Sequence, residues 1–273
     1  MLDPTFSLEK LSEFVGREAI LQDARAWLRD RGCHLAFFSG DYGVGKTRLL
    51  QHILDLARKE LKYDGAPTHL IDLYHFRHHS PEGLARAIVA SFEDTDNGGY
   101  FEFYYRARTK LEAARAAGDS GEIYKQLENL LSNCVSGLKK MSAERGLLLL
   151  FDTAEQFVYP SQKGNRFAPA WDWLEDWIGS LPRGVALFAG RPAADALFQQ
   201  IQRPQPLRTS LNFFTSEESR AYLLATAKHW SNKTGLSFSF ADEDIERLHI
   251  LSQGRPILLT LCLELKMRKQ EAF

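Results

Sequence analysis

The sequence predicts an α/β fold: a five-stranded parallel sheet covered by helices, followed by a small helical domain. Three observations predict it. The stretch FFSGDYGVGKTRLL (Phe37 to Leu50) fits the phosphate-cradling pattern G-x-x-x-x-G-K-[ST] through Gly40, Gly45, Lys46 and Thr47. Short apolar runs alternate with helical stripes as far as Phe214, which implies parallel strands with helices on both faces. Past Phe214 the strands stop and only helical patterns remain.

Each element has a local reason. Ile20, Leu21, Ala24, Trp27 and Leu28 recur at helical spacing, so a helix is expected from Glu18 to Asp30. CHLAFFSG is an apolar run that breaks at glycine, the mark of a buried strand. After the glycines, Leu49, Leu50, Ile53, Leu54, Ala57 and Leu61 form a helical stripe. Strand, glycine loop and helix are the context that the phosphate pattern requires. THLIDLYHF is the second strand expected. SPEGLARAIVASF then opens a helix with Ser80 as N-cap and Pro81 as first helical residue. Tyr100 to Ala143 is helical, with a break expected near AAGDSGE. GLLLLFD, GVALFAG and LRTSLNFF supply three more strands, and AWDWLEDWIGSL a short helix lying half-buried over the sheet. Residues 1–13 are expected to be an exposed lead-in, and VYPSQKGNRFAP a loop. Thr215 and Glu218 form a capping box that opens the helix SEESRAYLLATAKHW. DEDIERLHILS stops at Gly254, and PILLTLCLELKMRKQ starts with Pro256. The expected division is therefore 1–214 for the α/β core and 215–273 for the helical domain.

Composition narrows the class. With 273 residues, 44% hydrophobic and 25% charged, the chain can build a sizeable core. A formal charge of -1 provides no net attraction to nucleic acid or anionic lipid, so nucleic acid is not an expected partner. Cys33, Cys134 and Cys262 form no C-x-x-C pair and no even set, which fits thiols in a reducing cytoplasm. No apolar run reaches the ~20 residues of a membrane span, and MLDPTFSLEK lacks the order of a signal peptide. A soluble cytoplasmic protein without a membrane partner is expected.

The chemistry begins at the phosphate loop. Its glycines let backbone N–H groups turn inward at a helix N-terminus. Lys46 is placed to bridge the β- and γ-phosphates, and the Thr47 hydroxyl to hold Mg²⁺. Tyr42, Gly43, Val44 and Arg48 complete the loop as nucleotide-binding candidates. Asp152 ends the run LLLLFD, and a carboxylate at a strand tip suits Mg²⁺ bound to phosphate. Glu155, three residues on, is the candidate to orient and deprotonate a water; a surface carboxylate is the alternative. Arg191 follows GVALFAG, where it either reaches a γ-phosphate or stands on the surface before the helix that Pro192 starts. His75, His78 and His79 match no common metal-ligand spacing. Gly254, Arg255 and Pro256 are explained locally, glycine stopping one helix and proline starting the next.

Together FVGRE (Phe14 to Glu18), the phosphate loop, LLLLFDTAEQF, ALFAGR and SQGRP resemble the STAND class of signal-transduction P-loop NTPases, AAA+ relatives that include the NACHT and NB-ARC switch proteins. The resemblance implies that Val15, Gly16 and Arg17 line an adenine. It places Asp152 at the Mg²⁺-linked acidic position, Glu155 at the second acidic position of NACHT-type members and Arg191 at the sensor position. Pro256 is implied to press a helical lid onto the nucleotide in the closed, ADP-bound form. A five-stranded sheet is implied, with the phosphate-loop strand central and the Asp152 strand one removed from it. Many such ATPases carry Glu directly after the Asp; Thr153 stands here, so slow Mg²⁺-dependent ATP hydrolysis is expected. Since KMRKQEAF ends on helix-like sequence, the chain is expected to be the NTPase module of a longer protein, with no room for an effector domain before residue 14.

The function expected is a regulatory switch: ADP keeps it shut, while ATP and an activating ligand of unknown kind open it for self-association. The alternative is an AAA+-type loader or motor acting on nucleic acid, for which Arg255 offers a lid arginine. A small-molecule kinase needs an arginine-rich lid, which TSEESRAYLL does not resemble.

Overall fold

The computed structural model describes residues 14–95, 99–158, 168–235 and 239–270. The lead-in over 1–13 and most of the loop expected over 158–169 lie outside the described residues. The strands are β1 (Cys33–Ser39), β2 (Ile71–Asp72), β3 (Leu147–Asp152), β4 (Gly184–Gly190) and β5 (Leu207–Ser210). The helices are α1 (Glu18–Arg29), α2 (Lys46–Asp55), α3 (Pro81–Ala90), α4 (Glu102–Ala117), α5 (Ser120–Arg145), α6 (Ala168–Ile178), α7 (Asp195–Gln200), α8 (Ser216–Thr234), α9 (Asp242–Ser252) and α10 (Pro256–Gln270). They fall into two compact units. One holds the described residues within Ile20–Ser39 and Leu50–Ser210; the other holds the described residues within Met1–Ala19, Gly40–Leu49 and Leu211–Phe273.

The larger unit is built on a parallel sheet of order β2-β3-β4-β1-β5. Its register pairs Cys33 with Gly184, Leu147 with Gly184, Ala36 with Leu207 and Asp72 with Asp152. β4 therefore separates β3 from β1, as the resemblance implied, but the central strand is β4 and not the phosphate-loop strand β1, because β5 alone lies beyond β1. Because every pair is parallel, Ser39, Asp72, Asp152 and Gly190 all end at one edge. β3 and β4 are buried along their whole length, which is why their sequences are continuous apolar runs rather than alternating ones. The core stacks Phe37 on Phe198 at 4.3 Å and Phe151 on Phe188 at 4.7 Å between ring centroids. Trp171 of α6 meets Phe198 edge-on at 5.2 Å. The tryptophan helix thus covers the sheet, as its pattern predicts.

Capping fixes the helix boundaries. Ser80 Oγ accepts the Gly83 N–H at 3.1 Å and opens α3. The break within 100–143 falls at Gly118, left-handed with φ 72°, and Asp119 caps α5 by accepting the Glu122 N–H at 3.0 Å. All three cysteines are free, and burial pushes the Cys33 thiol up to about 11.

One strand is shorter than expected. THLIDLYHF forms only the two-residue β2, because side chains take over its backbone groups. Asp72 Oδ1 accepts the Tyr74 N–H at 2.9 Å, an Asx turn that bends the chain. His78 Nδ1 lies 2.6 Å from the Asp72 carbonyl and His79 Nε2 2.7 Å from the Leu73 carbonyl. The chain leaves the sheet in the 3₁₀ turn Phe76–His79. LRTSLNFF likewise pairs only over Leu207–Ser210.

This turn carries a pH dependence. Burial lowers the pKa of both His78 and His79 from the ordinary 6.5, with the carbonyl contacts opposing it. In the unfolded chain both take up protons below about pH 6.5, whereas in the folded chain they stay neutral to lower pH. Unfolding therefore consumes protons in that window, and stability falls as pH drops below 6.5. Urea titrations at pH 7.5 and 5.5 are expected to show the loss, and a His78→Gln, His79→Gln double variant to reduce it. An unchanged slope in the double variant would contradict the assignment.

In the smaller unit the capping box of α8 is complete. Thr215 Oγ1 accepts the Glu218 N–H at 3.1 Å, and Glu218 Oε2 accepts the Thr215 N–H at 2.8 Å. Its core gathers Phe214, Tyr222, Leu223, Trp230, Ile245, Leu259 and Leu263.

Candidate nucleotide site

At the carboxyl edge of the sheet, Asp152 closes β3 with 8% of its surface exposed. Its Oδ1 accepts the Thr153 N–H at 2.9 Å. Thr153 is left-handed, φ 63° and ψ 39°, a conformation that is strained for a β-branched residue. It is held there from the neighbouring strand: the Thr153 hydroxyl donates to Asp72 Oδ1 at 2.9 Å. Asp72 is thus a third carboxylate at this edge. The signal was present in THLIDLYHF as an acidic residue at a strand tip, the feature that singles out Asp152.

Glu155 is buried in the following 3₁₀ turn, 6% exposed. Its Oε2 accepts the Arg191 backbone N–H at 2.9 Å, and Oε1 lies 3.4 Å from Arg191 Nε. The structure therefore joins these two candidates to each other, one N–H bond and one ion pair per carboxylate. The approach depends on Gly190, where a Cβ would stand 3.0 Å from Glu155 Oε2 and 3.1 Å from the Ala154 Cβ. Half of the Arg191 side chain stays exposed, so its guanidinium remains accessible.

The phosphate loop lies in the smaller unit and continues the chain directly from β1. Gly43 and Gly45 have φ 82° and 94°, the left-handed values that turn successive N–H groups to one side of a loop. Lys46 Nζ donates to the Gly40 and Asp41 carbonyls at 2.8 and 2.9 Å. Gly40 packs tightly: a Cβ there would lie 2.8 Å from Val44 Cγ2 and 2.8 Å from the Leu211 carbonyl oxygen. Tyr42 and Thr47 are exposed, while Val44 is buried and Arg48 half-buried.

In the same unit Gly16 and Arg17 are both left-handed, φ 80° and 67°. The Arg17 guanidinium donates to the Asn212 carbonyl and lies 5.8 Å over the Phe214 ring. Burial pulls its pKa down, with Glu218 and Glu18 pulling it back up. Arg17 thus ties the FVGRE segment to the start of the helical segment, and Val15 packs against the helical core. Pro256 is half-buried at the first turn of α10, and the Arg255 guanidinium lies 4.8 Å over the Phe213 ring. Among the described residues no group of three His, Cys, Asp or Glu could hold a metal, His75, His78 and His79 included. No described helix is long and apolar enough to cross a membrane.

No family model matches the sequence, and no curated protein matches it. Solved structures do match. The chain is similar to the ORC1 protein of Aeropyrum pernix, solved in complex with DNA, with 14% identity and a TM-score of 0.51 over 94% of this chain and 62% of that one. It spans less than two thirds of that protein's length. It is also similar, at 15% identity and a TM-score of 0.40, to a chain of the HORMA:CdnC:Trip13 complex of E. coli MS115-1, covering 94% of this chain and 84% of that one. At such identities the likeness to ORC1 is one of fold, an α/β fold with a five-stranded parallel sheet.

Proposed function

We propose that the chain is an adenine-nucleotide-binding regulatory switch with slow Mg²⁺-dependent ATPase activity. ADP keeps it closed, and ATP opens it for self-association. In this proposal 1–214 is the nucleotide-binding domain and 215–273 the lid. The loop from Gly40 to Arg48 holds the phosphates, Val15, Gly16 and Arg17 face the adenine, and Pro256 carries the lid onto the nucleotide. The observation that carries the proposal is the strand order. β1, from which the phosphate loop leaves, ends at the same sheet edge as Asp152 and Gly190, and ligands of open α/β sheets bind beyond that edge.

The donors suit the ion: Asp152 is a buried carboxylate and Thr47 an exposed hydroxyl, both hard oxygens. When bound, Mg²⁺ neutralises charge on the phosphate oxygens. The chain's own residues do the rest. Lys46 places an ammonium against the phosphates. Arg191 distinguishes ATP from ADP, because a γ-phosphate competes with Glu155 for its guanidinium. Only such differential contact lets a nucleotide shift a two-state equilibrium.

The test is the nucleotide released from purified protein on denaturation. Near-stoichiometric ADP from a monomer is expected. A monomer that carries no nucleotide and binds neither ADP nor ATP at millimolar concentration would overturn the proposal.

A loader acting on nucleic acid is the second possibility, motivated by the fold shared with a protein solved on DNA and by Arg255 in the lid turn. Salt-dependent DNA binding by the purified chain would favour it over the switch.

A further inference from the structure

We propose that the larger unit carries a second small-molecule site, a groove that binds a sugar phosphate at the edge of the sheet where β3 begins. The site does not depend on the ATPase reading. Every residue that lines it belongs to the larger unit, and β3 ends in Asp152 at the opposite edge.

The groove encloses about 490 Å³ and is lined by Arg58, Lys62, Tyr63, Asp64, Asp94 and Arg145, a volume within the range of small-molecule sites. Three cations and two carboxylates therefore line one concavity. Elsewhere on this unit opposite charges close into pairs: Lys59 on Asp55, Arg25 on Glu60, Arg86 and Arg115 on Glu82. Among the described residues Arg58, Lys62, Asp64 and Asp94 form no ion pair within 4.0 Å. Arg58 donates to the Thr68 carbonyl at 3.2 Å through one nitrogen, and the Arg145 guanidinium lies 5.3 Å over the Tyr100 ring.

Charges of both signs kept apart in one groove suit a ligand that carries an anion and also hydrogen-bond donors. Phosphate oxygens take the guanidinium and ammonium groups. Sugar hydroxyls donate to the carboxylates. A bare anion meets repulsion from Asp64 and Asp94, and a polyanionic strand meets more of it.

The backbone that shapes the groove is unusual in two ways. α2 runs into a π-turn over Leu56–Glu60, where the Leu61 N–H reaches the Leu56 carbonyl at 3.0 Å and the Tyr63 N–H the Ala57 carbonyl at 2.8 Å. Single π-turns recur at functional sites. Lys62 then stands left-handed, φ 46°, where glycine is the usual residue because a Cβ is strained there. A lysine kept in that place is explained by its ammonium, since its backbone would be easier as glycine. The wall behind is fixed. The Ala66 N–H donates to the Tyr63 carbonyl at 3.1 Å, and the Leu148 N–H to the Gly65 carbonyl at 2.9 Å. A Cβ at Gly65 would collide with the Gly146 carbonyl, and one at Gly146 with the Tyr63 hydroxyl. The loop thus sits directly on the start of β3, and a ligand meets a surface already formed.

Calorimetric titration of the purified chain with ribose 5-phosphate, inorganic phosphate and ribose tests the site. Ribose 5-phosphate is expected to bind, inorganic phosphate to bind at least about tenfold more weakly, and ribose not to bind. Arg58→Gln is expected to weaken ribose 5-phosphate about tenfold or more, the loss of one hydrogen bond to a charged group. Asp64→Asn is expected to narrow the difference between ribose 5-phosphate and inorganic phosphate, because it removes repulsion and a strong acceptor together. Lys62→Gly separates ligand binding from folding. It relieves the left-handed strain, so the thermal midpoint without ligand is expected to hold or rise, while affinity for ribose 5-phosphate falls about tenfold. A lysine with only a structural role would leave that affinity unchanged. Wild-type affinity in both Lys62→Gly and Arg58→Gln would overturn the assignment. So would a wild-type chain that binds no ribose 5-phosphate at millimolar concentration, or that binds inorganic phosphate equally well. Tighter binding of a single-stranded oligonucleotide, lost in the same two variants, would replace the sugar phosphate with a nucleic-acid backbone and overturn it as well.

Discussion

Lys46→Ala is expected to weaken ATP and ADP binding by at least ~100-fold, which corresponds to about 3 kcal/mol. Lys46 is the first residue of α2, where the helix N-terminus already favours an anion. Its ammonium is held over the loop by the Gly40 and Asp41 carbonyls. A phosphate entering the loop thus meets a cation whose side chain is already ordered, and little rotamer entropy is lost on binding. Hydrogen bonds to a charged group contribute roughly 1.5–3 kcal/mol each, and two phosphate oxygens are within the reach of one ammonium. The substitution also removes the two loop bonds that Lys46 makes to its own backbone. A melting curve separates that local loosening from the loss of ligand: the thermal midpoint without nucleotide is expected to move little, while the shift produced by added ADP disappears. Titration with a fluorescent ADP analogue measures the affinity directly. Wild-type affinity in the variant would show that the glycine loop is not the phosphate site.

The parts of the fold legible in the sequence are those set by periodicity and by short-range caps. β3 and β4 are buried on both faces, so their continuous apolar runs could be read directly. The Thr215–Glu218 capping box and the Gly118 break depend on residues three or four apart. β2 was overestimated because its apolar pattern does not reveal that Asp72, His78 and His79 capture its backbone groups. At the site, single residues were legible and their pairings were not. Glu155 and Arg191 are 36 positions apart, and Asp72 and Thr153 are 81 apart. Nothing in a linear pattern says that Glu155 faces Arg191, or that the acidic tip of β2 faces the residue after Asp152. That requires the strand order, which places β2 beside β3, and the register, which levels Asp72 with Asp152.

Gly254→Ala is expected to cost about 3–5 kcal/mol of stability in the smaller unit, combining left-handed strain with a backbone clash. In the sequence this glycine looks like an ordinary stop between two helices, and several residues share that task. Gln253 is already left-handed, φ 54°, and caps α9, so a second left-handed residue is not needed to end the helix. Gly254 has φ 68°, and a Cβ there would lie 2.2 Å from the Phe214 carbonyl oxygen, with the His249 ring at 3.3 Å. The clash cannot be relieved by a rotamer change, because the partner is main chain. That main chain is also bonded: the Phe214 N–H donates to the Gly254 carbonyl at 2.8 Å. Moving it away would break the bond and pull Phe214 from the cluster that it forms with Tyr222 and Trp230. The suitable control is Gly118→Ala. Gly118 has a similar φ of 72°, but a Cβ there would meet nothing within 4 Å. It is expected to lose only about 1 kcal/mol, the left-handed penalty alone. Urea unfolding of the two variants, followed by far-UV circular dichroism, which reports the helices of both units, isolates the close approach from the backbone strain. Equal losses at the two positions would mean that Phe214 and Gly254 are not locked together. A loss several times larger at Gly254 would identify this contact as the one that joins the entry to α8 to the turn between α9 and α10, ahead of Pro256.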